Sequence, residues 1–283
     1  MRLQTACVVL AMSLGLALPS TAQQRPLVTE DPEPIGAGRV LVEGGFDFVH
    51  DEHYPVSGLK GNLVKAPTLG ISIGISSIAE FQIDGGFYNR LAIATRDPTA
   101  PLASLVTSTG ASTHDVEDVV VATKIRLLVE QGRQPAVGLR FATKLPNASN
   151  ESGLGLDTTD FFATLLGAKT VQSVRVVANV GVGILGDPTV GNRQNDVLMY
   201  GVSAARATTQ AAEIVAEING RVSTRNGPPL PGTETRGILK VGGRYTRGPA
   251  RFDAGVFLGL TSADPTVGFT AGLTYVFNAF TLP

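Results

Sequence analysis

A period-two alternation of side chains, repeated along almost the whole chain of 283 residues, constrains the fold more than any other feature. In Thr68–Ile75 every odd-numbered residue is Leu or Ile, and every even-numbered residue is Thr, Gly or Ser. In Arg175–Ile184 every even-numbered residue is Val, Ala or Ile, while the positions between them are mostly polar or Gly. Because successive side chains of a β-strand point to opposite faces, this spacing predicts strands with one apolar face.

Helical signals are weak by comparison. The best run of helix-forming residues, Ala204–Ile218, is interrupted by Thr208 and Thr209 and has no apolar stripe with helical spacing. Counting the alternating runs predicts twelve strands; a different interpretation of the sixth run, the eighth run or the segment 92–116 changes the count to ten or fourteen. The predicted strands are about 39–49, 64–75, 80–91, 117–129, 135–145, 158–169, 174–185, 196–206, 211–221, 235–246, 250–260 and 266–277.

The connections between these strands alternate in length. The tight connections are 76–79, 130–134, 170–173, 207–210 and 247–249. The longer connections are 50–63, 92–116, 146–157, 186–195 and 222–234. Short turns at one end and longer loops at the other are typical of an outer-membrane barrel, whereas the loop lengths of an immunoglobulin-like sandwich follow its Greek-key jumps.

The physics of a membrane favours the same architecture. In hydrocarbon every backbone polar group needs a partner, so strands can span it only as a closed barrel. Tilted strands of about ten residues match the apolar thickness of a bilayer. We therefore predict an all-β protein with a single antiparallel transmembrane β-barrel of about twelve strands over residues 39–277, followed by a tail over 278–283. The last strand has one apolar face, formed by Val267, Phe269, Ala271, Leu273, Tyr275 and Phe277.

The first 22 residues have the pattern of a cleaved signal peptide. Arg2 provides the positive start, Ala6–Leu18 is apolar, and Ser20-Thr21-Ala22 offers small residues before the cleavage point. The apolar run is shorter than the roughly 20 residues that a spanning helix needs. Because Cys7 is the only cysteine, the mature chain is predicted to be free of Cys. Residues 23–38 are then a periplasmic or lumen segment, and the barrel is expected in the outer membrane of a Gram-negative-type bacterium.

Charge is sparse and balanced along the chain. Charged residues make up 17% of the sequence, against about 25% in ordinary soluble domains. The 23 Lys and Arg nearly cancel the 24 Asp and Glu, so the chain has no basic surface for nucleic acid. A single Cys excludes a disulfide framework and a thiolate metal cluster.

The alternation assigns a set of charged residues to the inner face of the barrel, because a Lys or Arg on the lipid face near the midplane costs about 2–4 kcal/mol. Acidic members lie on predicted strands one and three, and basic members on strands four, five, seven and ten. They either face each other across water and orient a polar solute, or pair and close the lumen. These predicted lumen charges are Glu43, Asp47, Glu80, Asp84, Lys124, Arg126, Arg140, Lys144, Arg175, Arg236, Lys240 and Arg244.

Three local motifs are candidate ligand sites. Gly181–Gly186 fits G-x-G-x-x-G, but no predicted helix follows it, as a dinucleotide site requires. His50–His53 has two histidines three residues apart, and Asn147–Asp160 is rich in oxygen ligands without an EF-hand pattern. Both segments fall in predicted outer loops, so we predict solvated loops, no metal and no cofactor.

Catalysis is not expected. A membrane-embedded hydrolase needs a Ser activated by a positioned base. The three histidines, His50, His53 and His114, all lie in or beside predicted loops, and no G-x-S-x-G elbow occurs. The sequence therefore predicts a protein that is not an enzyme.

Several short segments resemble the outer-membrane family described as a component of the meta-pathway of phenol degradation, also labelled transporter. They match the family's Thr-Asp/Glu-rich opening before a Gly, its Asp-then-Lys strand and its Lys-Leu-Pro followed by Gly-Leu-Gly. The matching segments are Arg25–Pro32 with Gly36–Gly38, Asp118 with Lys124–Arg126, and Leu139–Pro146 with Gly153–Gly155 and Asp160. The resemblance implies an outer-membrane barrel that passes small or hydrophobic molecules.

Two functions remain open at this stage. One is a porin-like channel for passive passage of small, hydrophobic or aromatic molecules, and the many lumen-side glycines favour it by leaving space. The other is a structural or surface-binding barrel with a closed lumen. The expected partners are outer-membrane lipid and a small solute, while the oligomeric state and the role of residues 23–38 stay undetermined.

Overall fold

The computed structural model describes residues 25–281, so the predicted signal peptide lies outside the described residues. Within this range nearly all regular structure is β-strand, with one 3-10 turn at Ala103–Leu105. No helix among the described residues is long and apolar enough to cross a membrane. The strand segments are β1 (Arg39–Tyr54), β2 (Leu59–Gly74), β3 (Ala79–Gly86), β4 (Asn89–Arg96), β5 (Ser112–Asp115), β6 (Val120–Leu128), β7 (Ala136–Lys144), β8 (Asp160–Val171), β9 (Val174–Gly186), β10 (Gln194–Ala207), β11 (Ala212–Ser223), β12 (Arg236–Arg247), β13 (Ala250–Gly259) and β14 (Val267–Asn278).

These fourteen segments form twelve antiparallel barrel strands. β2 pairs with β3 through its residues Thr68–Gly74 and with β4 through Leu59–Lys65. β3 and β4 are therefore two halves of one strand, interrupted at Phe87 and Tyr88. β5 and β6 are likewise the halves of the next strand, because β4 pairs with β5 and β3 with β6. β1 pairs with both β2 and β14, which closes the ring. The predicted closed antiparallel barrel of twelve strands is confirmed.

The barrel has two unlike ends. Both Arg39 and Asn278 lie at one end, here the inner end, together with the short connections 75–78, 129–135, 172–173, 208–211 and 248–249. The outer end carries the connections 55–58, 97–111, 145–159, 187–193, 224–235 and 260–266. The first outer connection contradicts the predicted long loop over 50–63. Tyr54 pairs with Leu59 and His53 with Lys60, because β1 continues past a bulge at Asp51, whose φ is 64°.

The wall has an apolar outside and a polar inside. On β14, Phe269, Leu273 and Phe277 are 41–42% exposed, whereas Thr270 and Thr274 between them are buried. This order is the inverse of a soluble barrel and matches strands that face lipid. On β14 the alternation of apolar and polar residues in the sequence thus coincides with the outer and inner faces of the wall.

The outer connections also bind one another. Ser57 donates a hydrogen bond to the carbonyl of Gly153 over 2.7 Å, and the amide of Leu102 donates to the carbonyl of Val56 over 2.9 Å. Beneath them, inside the barrel, Val49, Leu59, Leu63 and Leu91 form a buried apolar cluster. One sector of the outer end is thus filled by loops and aliphatic side chains.

Candidate lumen site

Residues 25–38, here the N-terminal segment, run through the lumen from its middle to the inner end. Side chains of the wall bind the backbone of this segment. Glu217 accepts hydrogen bonds from the amides of Val28 and Thr29, and Glu80 accepts one from the amide of Ile35 over 2.7 Å. At the inner end Ile35 packs with Leu41 and Val276.

Acidic residues of the N-terminal segment meet basic residues of the wall. Glu30 lies 3.2 Å from the ammonium of Lys124 and 3.1 Å from Nε of Arg140. Asp31 accepts hydrogen bonds from Nε and Nη2 of Arg175, and Glu33 pairs with Arg126. These contacts matter because a buried charge is tolerated only with a partner.

Lys124 is the most enclosed of these groups. Its side chain is 0% exposed, as is that of Glu80, and the two lie 3.0 Å apart. Gln82 donates hydrogen bonds to Glu30 and Glu80 over 3.1 and 2.8 Å. The N-terminal segment therefore completes a charge network that begins on the wall strands β3 and β6.

Arg25 holds the start of the described segment at mid-lumen. It donates to Thr68 and Thr270 over 3.0 and 2.9 Å and lies 3.5 Å from Asp253. Gly45 and Gly272 make room for it, because a Cβ at either position would lie 2.2–2.3 Å from guanidinium atoms. Substitution of either glycine would displace Arg25.

The remaining predicted lumen charges also have partners inside the barrel. Those not yet described make the following contacts: Glu43 with Thr274 (2.9 Å), Asp47 with Arg25 (3.9 Å), Asp84 with Arg140 (3.5 Å), Lys144 with Asp118 (3.2 Å) and Asp160 (2.9 Å), Arg236 with Glu52 (3.4 Å), Lys240 with the carbonyl of Pro26 (2.7 Å), and Arg244 with Glu213 (3.7 Å). The structure thus brings most of them into one network around the N-terminal segment.

Glu30, Asp31 and Glu33 were not among the lumen charges predicted from the sequence. A signal was present, since these carboxylates sit in a short acidic run directly before the first strand. Alternation could not reveal them, because it applies only to strands and this segment consists of turns, bends and irregular chain.

A cavity of about 670 Å³ lies on the outer side of the N-terminal segment. Its floor is formed by Arg25–Val28, and charged groups such as Lys144, Asp160 and Arg236 line it together with apolar side chains. The apolar lining residues include Leu156, Phe162, Leu185, Val197, Met199, Ile238 and Phe257. We call this space the outer cavity.

A second cavity of about 440 Å³ lies beside the segment. It shares Arg25, Val28, Phe162 and Met199 with the outer cavity, and Glu30, Asp84 and Arg140 line its other part. Both spaces therefore border the same stretch of the N-terminal segment.

Two of the three candidate ligand motifs, His50–His53 and Gly181–Gly186, lie in the strands β1 and β9. The third, Asn147–Asp160, lies in an outer connection up to the start of β8, and its Leu156 and Asp160 line the outer cavity. Gly181–Gly186 lies within β9 and is followed by a turn rather than a helix. Nδ1 of His50 is 2.8 Å from Oδ1 of Asn62. Across residues 25–281 no group of three or more His, Cys, Asp or Glu side chains is arranged to hold a metal ion.

Neither protein-family models nor curated proteins match this sequence. The resemblance to the phenol-degradation family therefore remains an expectation. Among solved structures the chain is similar to an outer-membrane channel from Pseudomonas putida F1, with 12% identity, a TM-score of 0.65, and coverage of 87% of this chain and 98% of that chain. It is also similar to the toluene transporter TodX of Pseudomonas putida, with 11% identity, a TM-score of 0.41, and coverage of 88% and 92%. The first similarity supports the outer-membrane type of β-barrel fold.

Proposed function

We propose that this protein is an outer-membrane channel for the passive passage of small, hydrophobic or aromatic molecules. The outer cavity carries the proposal. It has room for a small molecule, since ligand cavities are commonly about 300–1,000 Å³. Its lining combines aliphatic and aromatic side chains with charged groups at fixed positions, and the apolar part suits a hydrophobic or aromatic solute.

The N-terminal segment must move for a molecule to continue inward. It is held by ion pairs and by hydrogen bonds from wall side chains, such as those of Glu217 and Glu80 to its amides. None of residues 25–38 belongs to a strand of the sheet. Displacing it therefore breaks side-chain contacts while the barrel wall stays intact.

The test compares uptake of a hydrophobic fluorescent probe, N-phenylnaphthylamine, by intact bacteria with and without this protein. We expect faster uptake when the protein is present in the outer membrane. An unchanged rate with correctly inserted protein contradicts the channel.

A disulfide tests the movement of the segment. The variant Thr29→Cys/Gly201→Cys suits this purpose, because a Cβ at position 201 would lie 2.9 Å from Oγ1 of Thr29. Across a disulfide, a Cβ and the opposite sulfur are separated by about 3 Å, given an S–S bond of about 2.05 Å. The oxidised variant should lose uptake and regain it with dithiothreitol, while each single-Cys variant should behave like the parent.

One observation favours the second candidate, a structural barrel with a closed lumen. The inner half of the lumen is occupied by the ion pairs of Glu30, Asp31 and Glu33 with the wall. Under this alternative the oxidised and reduced forms of the disulfide variant show the same absence of uptake as the parent.

A further inference from the structure

Basic and imidazole side chains gather on the outward face of the wall near the outer end. We call this group the rim patch, and it comprises His50, His53, Lys60, Arg90 and His114. It contains all three histidines of the chain. His50, Arg90 and His114 are exposed, and Lys60 and His53 are half-buried.

The outward direction follows from the neighbours of these residues. His50, Arg90 and His114 adjoin Val49, Leu91 and Thr113, respectively, and those three side chains are buried inside the barrel. Because side chains alternate along a strand, each exposed residue points away from the lumen.

The rim patch spans four adjacent strand segments. His53 on β1 is the cross-strand partner of Lys60 on β2, and Arg90 on β4 is the partner of His114 on β5. β2 joins the two pairs, because it pairs with both β1 and β4. At a strand spacing of about 4.8 Å the patch is roughly 14 Å wide.

Carboxylates do not neutralise the rim patch fully. Asp51 lies 3.4 Å from the ammonium of Lys60. No carboxylate within residues 25–281 forms an ion pair with Arg90. Outward strand residues near the outer end elsewhere on the wall include the apolar side chains of Phe161, Ile184, Val222 and Leu258.

An apolar surface lies beside and below the rim patch. Phe48 pairs with Val64, which is also the partner of Arg90, and Phe87 and Tyr88 precede Arg90 toward the middle of the wall. Phe46 and Phe48 on β1 are 40% and 39% exposed, and Phe87 and Tyr88 at the interruption between β3 and β4 are 68% and 43% exposed. The ring of Tyr88 lies 5.8 Å from that of His114. Charged groups above exposed aromatic rings fit an amphipathic anion better than a soluble one, because only the former uses both surfaces.

We propose that the rim patch binds the phosphate groups of lipopolysaccharide in the outer leaflet, with the acyl chains against the aromatic rings below. The inference rests on the outer-membrane location in the proposed function. Lipopolysaccharide combines phosphates at the polar boundary with acyl chains, in the same order as the rim patch and its aromatic surface. Arg90 and Lys60 supply charge-assisted hydrogen bonds to phosphate oxygens. A basic residue at this height is tolerated on the lipid side, since its cost falls to about 0–1 kcal/mol near the interface.

The test measures binding of purified lipopolysaccharide to the full-length mature barrel in detergent. The variant Lys60→Gln/Arg90→Gln removes two positive charges from the rim patch. Its matched control, Arg206→Gln/Arg247→Gln, removes two exposed positive charges near the inner end of the wall. We expect at least about tenfold weaker binding for the rim variant, because a hydrogen bond to a charged group contributes about 1.5–3 kcal/mol, and parental binding for the control.

A second arm needs no variant and therefore remains decisive if the rim variant misfolds. The parent barrel is titrated with enzymatically dephosphorylated lipopolysaccharide and with phosphatidylglycerol micelles. Weaker binding of both supports the proposal. Equal binding of the dephosphorylated form, equal competition by phosphatidylglycerol, or equal losses in the rim and control variants would overturn it.

The lipopolysaccharide-binding test can fail or succeed independently of the channel proposal. Lipopolysaccharide binding is measured on purified protein and needs no transport. A barrel that binds lipopolysaccharide but never passes N-phenylnaphthylamine retains the rim site and loses the channel, and the opposite result retains the channel alone.

Discussion

The inner and outer halves of the lumen share one wall but are filled differently. In the inner half, Lys124 and Glu80 are completely enclosed and meet Glu30 of the N-terminal segment. In the outer half, a cavity of about 670 Å³ remains between strands of the same alternating pattern. The alternation of a strand therefore determines which side chains point inward, while the contents of the lumen depend on chain outside the strands.

The two halves also differ in where their charged wall residues find partners. Basic residues of the inner half, such as Arg126 and Arg175, find carboxylates on the N-terminal segment. In the outer half the charges pair mostly with other wall or loop residues, as Lys144 does with Asp118 and Asp160. The N-terminal segment is thus an electrostatic partner of one half only, and removal of its charges should affect that half first.

The largest expected effect comes from neutralising the N-terminal segment. In Glu30→Gln/Asp31→Asn/Glu33→Gln, the basic groups of Lys124, Arg126, Arg140 and Arg175 lose carboxylate partners. Because uncompensated charge favours hydration of the lumen, we expect the segment to leave the inner half and single-channel conductance to rise several-fold, with a shift toward anions. Planar-bilayer recordings measure both quantities.

The matched control is Glu151→Gln/Asp157→Asn/Asp196→Asn, which removes three carboxylates from exposed positions at the outer end. Its conductance should equal that of the parent. If the segment variant conducts no better than this control, the ion pairs do not hold the inner half closed.

A second prediction concerns the enclosed ammonium of Lys124. The change Lys124→Met leaves Glu80 buried and without its cation, and breaking such a buried pair costs about 3–5 kcal/mol. The free energy of unfolding in urea, measured on barrels in lipid vesicles, should fall by that amount. The double variant Lys124→Met/Glu80→Gln should recover part of the loss, because it leaves no unpaired wall carboxylate.

Lys169→Met serves as the comparison for this variant. Lys169 also forms an ion pair, 3.1 Å from Glu130, but its side chain is 29% exposed. Exposed ion pairs contribute about 0–1 kcal/mol, so its loss should be small. Similar losses for the two lysine variants would show that enclosure of the inner half does not govern its energetics.

The sequence predicted the wall better than the interior. The twelve strands followed from side-chain alternation, and positions such as Phe269 and Thr270 confirm which faces are outside and inside. The first outer turn was predicted wrongly, because the polar residues His50–His53 resemble a loop although they continue β1 and pair with β2.

The contacts inside the lumen could not be predicted from local sequence patterns. The pairing of Glu30 with Lys124 joins residues far apart in sequence, and Arg25 fits at mid-lumen only because Gly45 and Gly272 leave space. A period-two pattern identifies the glycines as lumen-side but cannot indicate what occupies the space beside them. Alternation could propose the lumen charges as a set, whereas their partners depend on the path of a segment without periodicity.

A third prediction concerns the volume of the outer cavity. Met199 lines both cavities, so Met199→Trp should fill part of the outer cavity. We expect uptake of N-phenylnaphthylamine to fall several-fold with little change in the free energy of unfolding, because the added volume enters existing space. Leu198→Trp places the same ring on the outward face, where Leu198 is 41% exposed. Equal uptake by these two variants would contradict passage through the outer cavity.

The smallest expected effect links the inner end to pH. Partial burial acts to raise the pKa of Glu130, in the turn between β6 and β7, but hydrogen bonds from Thr170 and Lys169 outweigh it and lower the pKa to about 2. A carboxyl whose pKa is lowered on folding stabilises the fold above its ordinary value of 4.5, and this contribution is lost as pH falls toward 2. Arg175 contacts both Glu130 and Asp31, so acidification in this window should loosen the hold on the N-terminal segment.

Urea unfolding of the parent and of Glu130→Gln at pH 6 and pH 3 isolates this contribution. The parent should lose more stability than the variant between the two pH values, because an amide in place of the Glu130 carboxyl does not titrate. The difference should be small, since Glu130 lies at the surface, where ionic interactions are screened by solvent. Identical pH dependence in both proteins would separate the turn from the inner-half network and leave Asp31 as the carboxylate that holds Arg175.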